Sequence, residues 1–273
     1  MRLVSIYLAT MIAFVSGYLQ ADSVMLRGNF QQGGLLLGKV VEGSDVYYLD
    51  KPLQLTDDGY FILGLSRDAP ESISLRILDA DEMQTIQTYS IDQRQYQIQR
   101  VNGVPSKTVT PAAADLARIR SDSALVKKAR RIISSSTDFL GGFQVPLSGP
   151  ITGVYGSQRV YNGVPKNPHY GVDYAGPTGA IVVAPASGSV RMAHRDMFYS
   201  GGTLIMDHGH GLSSSFLHLS DILVAEGDTV VRGQPIAKVG ATGRATGPHL
   251  DWRMNWHQVR IDPELVMQVL PVR

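Results

Sequence analysis

The chain has 273 residues, 25 basic and 24 acidic side chains, and no cysteine. That length accommodates one large domain or two ordinary ones, and 44% hydrophobic with 18% charged residues belongs to a folded chain rather than a disordered one. A formal net charge of +1 excludes a nucleic-acid binder that works by bulk electrostatics, and the missing thiols exclude a disulfide scaffold, thiolate metal sites and a cysteine nucleophile.

Met1-Arg2 supplies a positive start, and Leu3 to Val15 is uncharged before Ser16-Gly17 breaks the run. This is the length of a signal-peptide core, short of the about 20 residues that a bilayer span needs. Residues 1–21 are therefore expected to be a signal peptide, cleaved after Ala21 or, because Leu19 suits that site poorly, after Gly17. An uncleaved anchor reaching Leu19 is the weaker alternative. Nothing later in the sequence is apolar for long enough to span, so an exported protein without a stable membrane span is expected once the signal is removed.

Residues 22–105 read as a small β-sandwich. Leu35-Leu36-Leu37 follows Gly33-Gly34, Asp57-Asp58-Gly59 is a turn before Tyr60-Phe61-Ile62-Leu63, and Ile73, Leu75 and Ile77 alternate with polar neighbours. No chemistry is evident there, and a spacer or docking role fits best. Residues 106–142 read as a helical linker. Thr110 is a good N-cap, Pro111 is tolerated at the first helical position, and Leu116, Ile119, Val126 and Ala129 fall near helical spacing. Lys127, Lys128, Arg130 and Arg131 lie where the helix dipole favours cations, and a solvated face explains them most simply. Ser134-Ser135-Ser136 and Gly141-Gly142 mark the end of the linker.

Residues 143–273 differ in character, with more Gly and Pro and all seven histidines. Three segments carry the chemistry. In Pro168-His169-Tyr170-Gly171-Val172-Asp173, the Pro, Gly and β-branched Val argue against a helix, but in a loop leading to a strand His169 and Asp173 can converge on one ion. In Ser215-Phe216-Leu217-His218-Leu219-Ser220, strand alternation sets His218 with Phe216 and Ser220, opposite Leu217 and Leu219. In Gly247-Pro248-His249-Leu250-Asp251-Trp252, His249 and Asp251 project to the same side. His208 and His210 read as turn residues and His194 and His257 as structural, with His210 a weak candidate for the groove wall. The halves VVAPASGSVRMAH and VAEGDTVVRGQPIAKVG also suggest a biotinyl or lipoyl carrier, but the turn between them has no Lys to carry the group.

PHYGVD, FLHLS and TGRATGPHLDW, in this order, resemble the lysostaphin-type (LytM-like) zinc endopeptidases of peptidoglycan over roughly residues 143–265. The resemblance implies a mainly β chain, with the N-terminal β-sandwich, a connecting helix and a C-terminal antiparallel sheet that forms a groove. It implies Zn2+ as cofactor, held by His169, Asp173 and Asp251, and His218 with His249 as the catalytic pair. It implies peptidoglycan as substrate and the periplasm or cell envelope as location. One departure stands out: Asp251 occupies the position of the second His of the family's HxH. Two carboxylates would leave the ion formally neutral, so activity is expected to need a higher pH. Some family members have lost zinc and activate cell-wall amidases, so a zinc-free regulator of an amidase is the alternative. Here the fifth position still holds a good zinc ligand, which favours the enzyme.

Overall fold

Short apolar runs between turns form two small sheets at the N-terminal end of residues 24–272, the part of the chain that the computed structural model describes. One sheet joins Val24–Gly28, Leu35–Val40 and Tyr60–Gly64; the other joins Lys51–Pro52, Asp45–Tyr48, Ser72–Leu78 and Gln84–Ser90. Within Ser72–Leu78, Ile73, Leu75 and Ile77 are buried and Ser72 and Ser74 are exposed, the alternation of a half-buried strand. The fold is mainly β and antiparallel, as expected, with a helix between the N-terminal sheets and the large C-terminal one. The expected signal peptide, residues 1–21, lies outside the described residues. Among the described residues no helix is long and apolar enough to cross a membrane.

The C-terminal sheet has eight strands. Its order is Thr229–Val230, Gly188–Met197, Gly201–Asp207, Leu212–Leu219, His249–Trp256, Val172–Ala175 and Ile151–Gly153, with Val259–Ile261 also pairing on His249–Trp256. One face of this sheet is the core, where Leu204, Met206, Phe216, Leu250, Trp252 and Met254 are buried. The other face is the floor of a groove, to which Ser215, His249, Asp251 and Arg253 contribute by alternation. Pairing is not confined to the C-terminal part, because Ile98–Val101 runs parallel to Gln158–Tyr161.

The linker departs from expectation at its start. Thr110 closes a short Ser106–Val109 helix, and the long helix begins only at Leu116, after a 3-10 turn over Ala113–Asp115. The cause is Pro111, which disfavours helical backbone at the residue before it; Thr110 sits at φ −130°, ψ 86°. The helix runs from Leu116 to Ala129 along the edge of the groove.

A chain of buried hydrogen bonds fixes the sheet from beneath. The Trp252 indole N–H donates to Ser214 Oγ (3.2 Å), the Ser214 hydroxyl donates to His208 Nε2 (2.9 Å), and His208 Nδ1–H donates to the Ser187 carbonyl (2.7 Å). Burial of this fully enclosed ring pushes its pKa below the ordinary 6.5 and so keeps His208 neutral at neutral pH, and with Nδ1 carrying the proton the Ser214 hydroxyl is the donor to Nε2. The unfolded chain therefore takes up the proton first on acidification. The stability that depends on neutral His208 is complete above about pH 6.5 and is lost as pH falls towards the folded-state pKa. His208→Gln should cost about 1–3 kcal/mol at neutral pH by leaving buried partners unsatisfied. It should also flatten the fall in melting temperature between pH 7 and pH 5. Thermal unfolding of both proteins across that range tests this, and an unchanged acid slope would count against it.

Candidate metal centre and groove

Register brings two acids face to face. Asp173 on Val172–Ala175 pairs directly with Asp251 on His249–Trp256, an arrangement in which like charges repel. His169 lies in the loop before Asp173 and is fixed by its backbone. Its N–H donates to the Ser157 carbonyl (2.8 Å), and its carbonyl accepts from the Gly156 N–H (2.7 Å). Its Nε2 sits 3.1 Å from Asp173 Oδ1 and 3.4 Å from Asp251 Oδ2, and all three residues are buried. One ligand atom from each of the three lies within 4.8 Å of the others.

Beside this cluster, the rings of His218 and His249 lie 4.8 Å apart, tilted by 47°, and His249 Nε2 is 3.9 Å from Asp173 Oδ1. The structure therefore gathers His169, Asp173, Asp251, His218 and His249 into one groove. The reason for His218 differs from the expected one. Phe216 points into the core, yet His218 and Leu217 both line the groove. His218 has φ +65°, in the left-handed region, and this breaks the alternation and turns its ring to the side that Leu217 already faces. A backbone kink of this kind is not legible in residue spacing.

All three imidazoles are oriented in the same way. His169 Nδ1 lies 3.3 Å from the Val154 carbonyl, His218 Nδ1 2.8 Å from the Thr242 carbonyl and His249 Nδ1 2.8 Å from the Gly247 carbonyl. A carbonyl only accepts, so each Nδ1 donates and each Nε2 is presented to the groove. Burial pushes His218 down to about 4; Asp251 opposes that shift and His249 reinforces it. His218 is therefore neutral at neutral pH. Burial also lowers His169, but Asp173 and Asp251 outweigh it and hold the ring above its ordinary value.

Each acid has its own arginine. Arg159 Nη2 donates to Asp173 Oδ2 (2.8 Å). Arg253 Nε donates to Asp251 Oδ1 (2.9 Å) and Oδ2 (3.1 Å), with Nη2 also on Oδ2. Burial raises the Asp251 carboxyl, but Arg253 and His169 hold it well below the usual carboxylate range. Two glycines make room for these pairs. A Cβ on Gly153 would lie 2.1 Å from Asp173 Oδ2, and one on Gly171 would lie 2.6 Å from Asp251 Oδ1.

The residues fit a divalent cation. His169 Nε2 and Asp173 Oδ1 are buried and, although only 3.1 Å apart, neither has a partner in hydrogen-bond geometry. Both are aimed at a common point, with an Asp251 oxygen alongside. One imidazole nitrogen and two carboxylate oxygens are ligands that suit zinc.

Neither arginine was singled out from the sequence. Arg253 was accessible to it, because 249, 251 and 253 share one strand face. Arg159 left no signal, since it reaches Asp173 from a separate strand. The other histidines lie apart from the cluster. His210 packs on Phe139 with Nδ1 on the Gln54 carbonyl, His257 on Trp256, and His194 Nδ1 accepts the Asp196 N–H. The linker's basic run is only partly a solvated face: Arg130 is half-buried in the groove, with Nη2 on Ser215 Oγ (2.9 Å).

Arg253→Met should destabilise the metal-free protein by about 3–5 kcal/mol, because it strands a buried carboxylate. Adding Asp251→Asn should recover most of that loss by removing the charge. Urea unfolding of the three proteins in chelator measures both effects. A single substitution costing less than about 1 kcal/mol would show the pair to be weakly coupled.

The profile of Peptidase family M23 matches residues 167–263. Over 129 residues the chain is 40% identical to peptidoglycan DD-endopeptidase ShyB of Vibrio cholerae, a stretch covering 47% of this chain and 26% of that protein. Over 87 residues it is 44% identical to peptidoglycan DD-endopeptidase ShyA of the same organism, covering 32% of this chain and 20% of that one. The matched stretches thus span about a quarter or less of the length of these curated relatives. Among solved structures, a Pseudomonas aeruginosa peptidase M23 superposes with a TM-score of 0.68 at 28% identity, covering 88% of this chain and 96% of that one. The motif order, the sheet that carries it and these matches agree, and residues 167–263 form a module of peptidase family M23, the lysostaphin-type (LytM-like) peptidases.

Proposed function

We propose that the chain is an exported, zinc-dependent endopeptidase that hydrolyses peptide bonds in the stem peptides or cross-links of peptidoglycan. The observation that carries this reading is the pair of buried, unpartnered atoms, His169 Nε2 and Asp173 Oδ1, converging beside Asp251 with two groove-facing imidazoles next to them. The names of the relatives, two of them peptidoglycan DD-endopeptidases, support the substrate and favour an enzyme over a zinc-free amidase regulator. They also support a periplasmic or envelope location, to which residues 1–21 would direct the chain. We divide it into a β-sandwich at 22–105, a helical linker at 106–142 and the peptidase domain at 143–273.

In this reading His169, Asp173 and Asp251 hold the metal. The ion, when bound, supplies the Lewis acidity that generates a nucleophile from water near neutral pH and polarises the scissile carbonyl. The chain's own groups do the rest. His218 and His249 each present a single nitrogen, Nε2, because the other is held by a carbonyl. One takes the proton of the attacking water and the other bonds the developing oxyanion. His218, neutral and enclosed, suits the acceptor role. Arg253 changes the charge count expected from the sequence: by pairing with Asp251 it offsets the charge that an Asp adds where the family has a His. Arg159 offsets Asp173 in the same way, so two guanidiniums stand against the two carboxylates, which reduces the need for a raised working pH.

Two substitutions separate the roles. Asp251→Ala should lose both stoichiometric zinc and cleavage of purified peptidoglycan. His218→Ala should keep zinc and lose activity by on the order of 10²-fold or more, as for other positioned acid–base groups. Metal content by elemental analysis and product analysis on isolated cell wall read both outcomes. A wild-type protein with no zinc and no cleavage would replace the enzyme reading with the regulator.

A further inference from the structure

The groove is a cavity of about 1390 Å3 that both carboxylates and arginines line. The carboxylates of the His169, Asp173 and Asp251 cluster lie at one part of its floor. Next to them three arginines enter from three elements: Arg130 from the C-terminal end of the Leu116–Ala129 helix, Arg253 from His249–Trp256 and Arg260 from Val259–Ile261. Register places Ser215 opposite Arg253, and Asn255, two residues further along the same face, opposite Arg260. The bond from Arg130 to Ser215 Oγ sets its guanidinium above the residue that pairs with Arg253.

Only one of the three has its charge matched. Arg253 holds Asp251. Among the described residues, Arg130 and Arg260 have no carboxylate partner. Arg130 Nε is buried with no hydrogen-bond partner at all, and Arg260 stacks its guanidinium 4.9 Å from the centre of the Tyr170 ring. Burial and the neighbouring arginines pull Arg130 down to about 9 and Arg260 to about 10. Enclosing cations beside one another without an anion is unfavourable. A planar guanidinium with free N–H groups matches the geometry of a carboxylate.

We infer that Arg130 and Arg260 form a carboxylate-binding subsite, which holds an acidic group of the peptide substrate beside the His169, Asp173 and Asp251 cluster. This rests on reading the groove as a peptide-cleaving site. The acidic group could be the peptide's C-terminal carboxylate or one on a side chain. The chemistry is the same for both.

The test is calorimetric titration of the full chain with one synthetic peptide of stem composition in four forms: with free carboxylates, amidated at the C-terminus, amidated on the side chains, and amidated at both. The free form should bind the wild type roughly tenfold more tightly than the fully amidated form, the scale of one charge-assisted hydrogen bond. In Arg130→Gln and Arg260→Gln that preference should fall towards unity, with affinity for the fully amidated peptide unchanged. Arg130→Lys, which keeps the charge but loses the fork, should be intermediate. The singly amidated form that loses the preference identifies the carboxylate. Arg260→Gln provides an independent arm if Arg130→Gln loosens the helix, and melting temperatures report that. No preference in the wild type, an undiminished preference in both glutamine variants, or no binding of any form would overturn the subsite. Cleavage of purified peptidoglycan is followed in parallel. Carboxylate preference without cleavage would sink the endopeptidase reading and leave the subsite standing, whereas cleavage without preference would sink the subsite alone.

Discussion

Two buried carboxylates placed opposite one another on adjacent strands set the terms for everything around them. Asp173 and Asp251 are register partners, and both are almost wholly enclosed. Left alone, such a pair would be pushed towards protonation, since burial and like charge both disfavour ionisation. Here Arg159, Arg253 and His169 keep both acids below their ordinary pKa. The glycines at 153 and 171 follow from the same constraint, because a methyl group at either position would occupy space that the carboxylates use. The backbone contacts that fix His169 bring its Nε2 to the one place where it can face both acids.

The rigidity that this geometry demands comes from the other side of the sheet. Trp252 lies between Asp251 and Arg253 in sequence, and its side chain points to the core. There its indole N–H begins the run through Ser214 and His208 to the Ser187 carbonyl. Alternation thus gives the His249–Trp256 strand two functions. Its outward residues His249, Asp251 and Arg253 furnish the groove, and its even-numbered residues, Leu250, Trp252, Met254 and Trp256, anchor the strand in apolar packing. Charged side chains kept on a strand whose other face is this well buried have little freedom to relax away from one another.

How much of this was legible in the residues divides along the same line. Period-two spacing was enough to put His249 and Asp251 on one face, and composition and turn signals were enough for the mainly β character. The alternation read for Ser215 to Ser220 failed at His218, because a residue at φ +65° exchanges faces without any change in spacing. Thr110 looked like an N-cap from its type alone, but the proline after it disfavours the helical backbone that a continuous helix would need. Arg159 was invisible because its partner is set by tertiary pairing and not by any local pattern. Arg253 shares the outward face of His249 and Asp251, but spacing gives it no role, since charge compensation matters only where both acids are buried.

Asp251, where the resemblance implies a histidine, is best understood together with Arg253. A lone Asp at that position would add a negative charge to a site that already contains one, in a place where water cannot screen it. With Arg253 gripping both oxygens, the added charge is offset within the same strand, two residues away, and the carboxylate is also held in a single orientation. The arginine in turn lies beside Arg130 and Arg260, which have no carboxylate partner among the described residues. The charge at position 251 therefore has a local consequence: the floor passes from the Asp251 carboxylate to the Arg253 guanidinium between two adjacent outward positions. Under the carboxylate subsite inferred above, Arg130 and Arg260 would fix the direction in which a bound acidic peptide lies across His218 and His249.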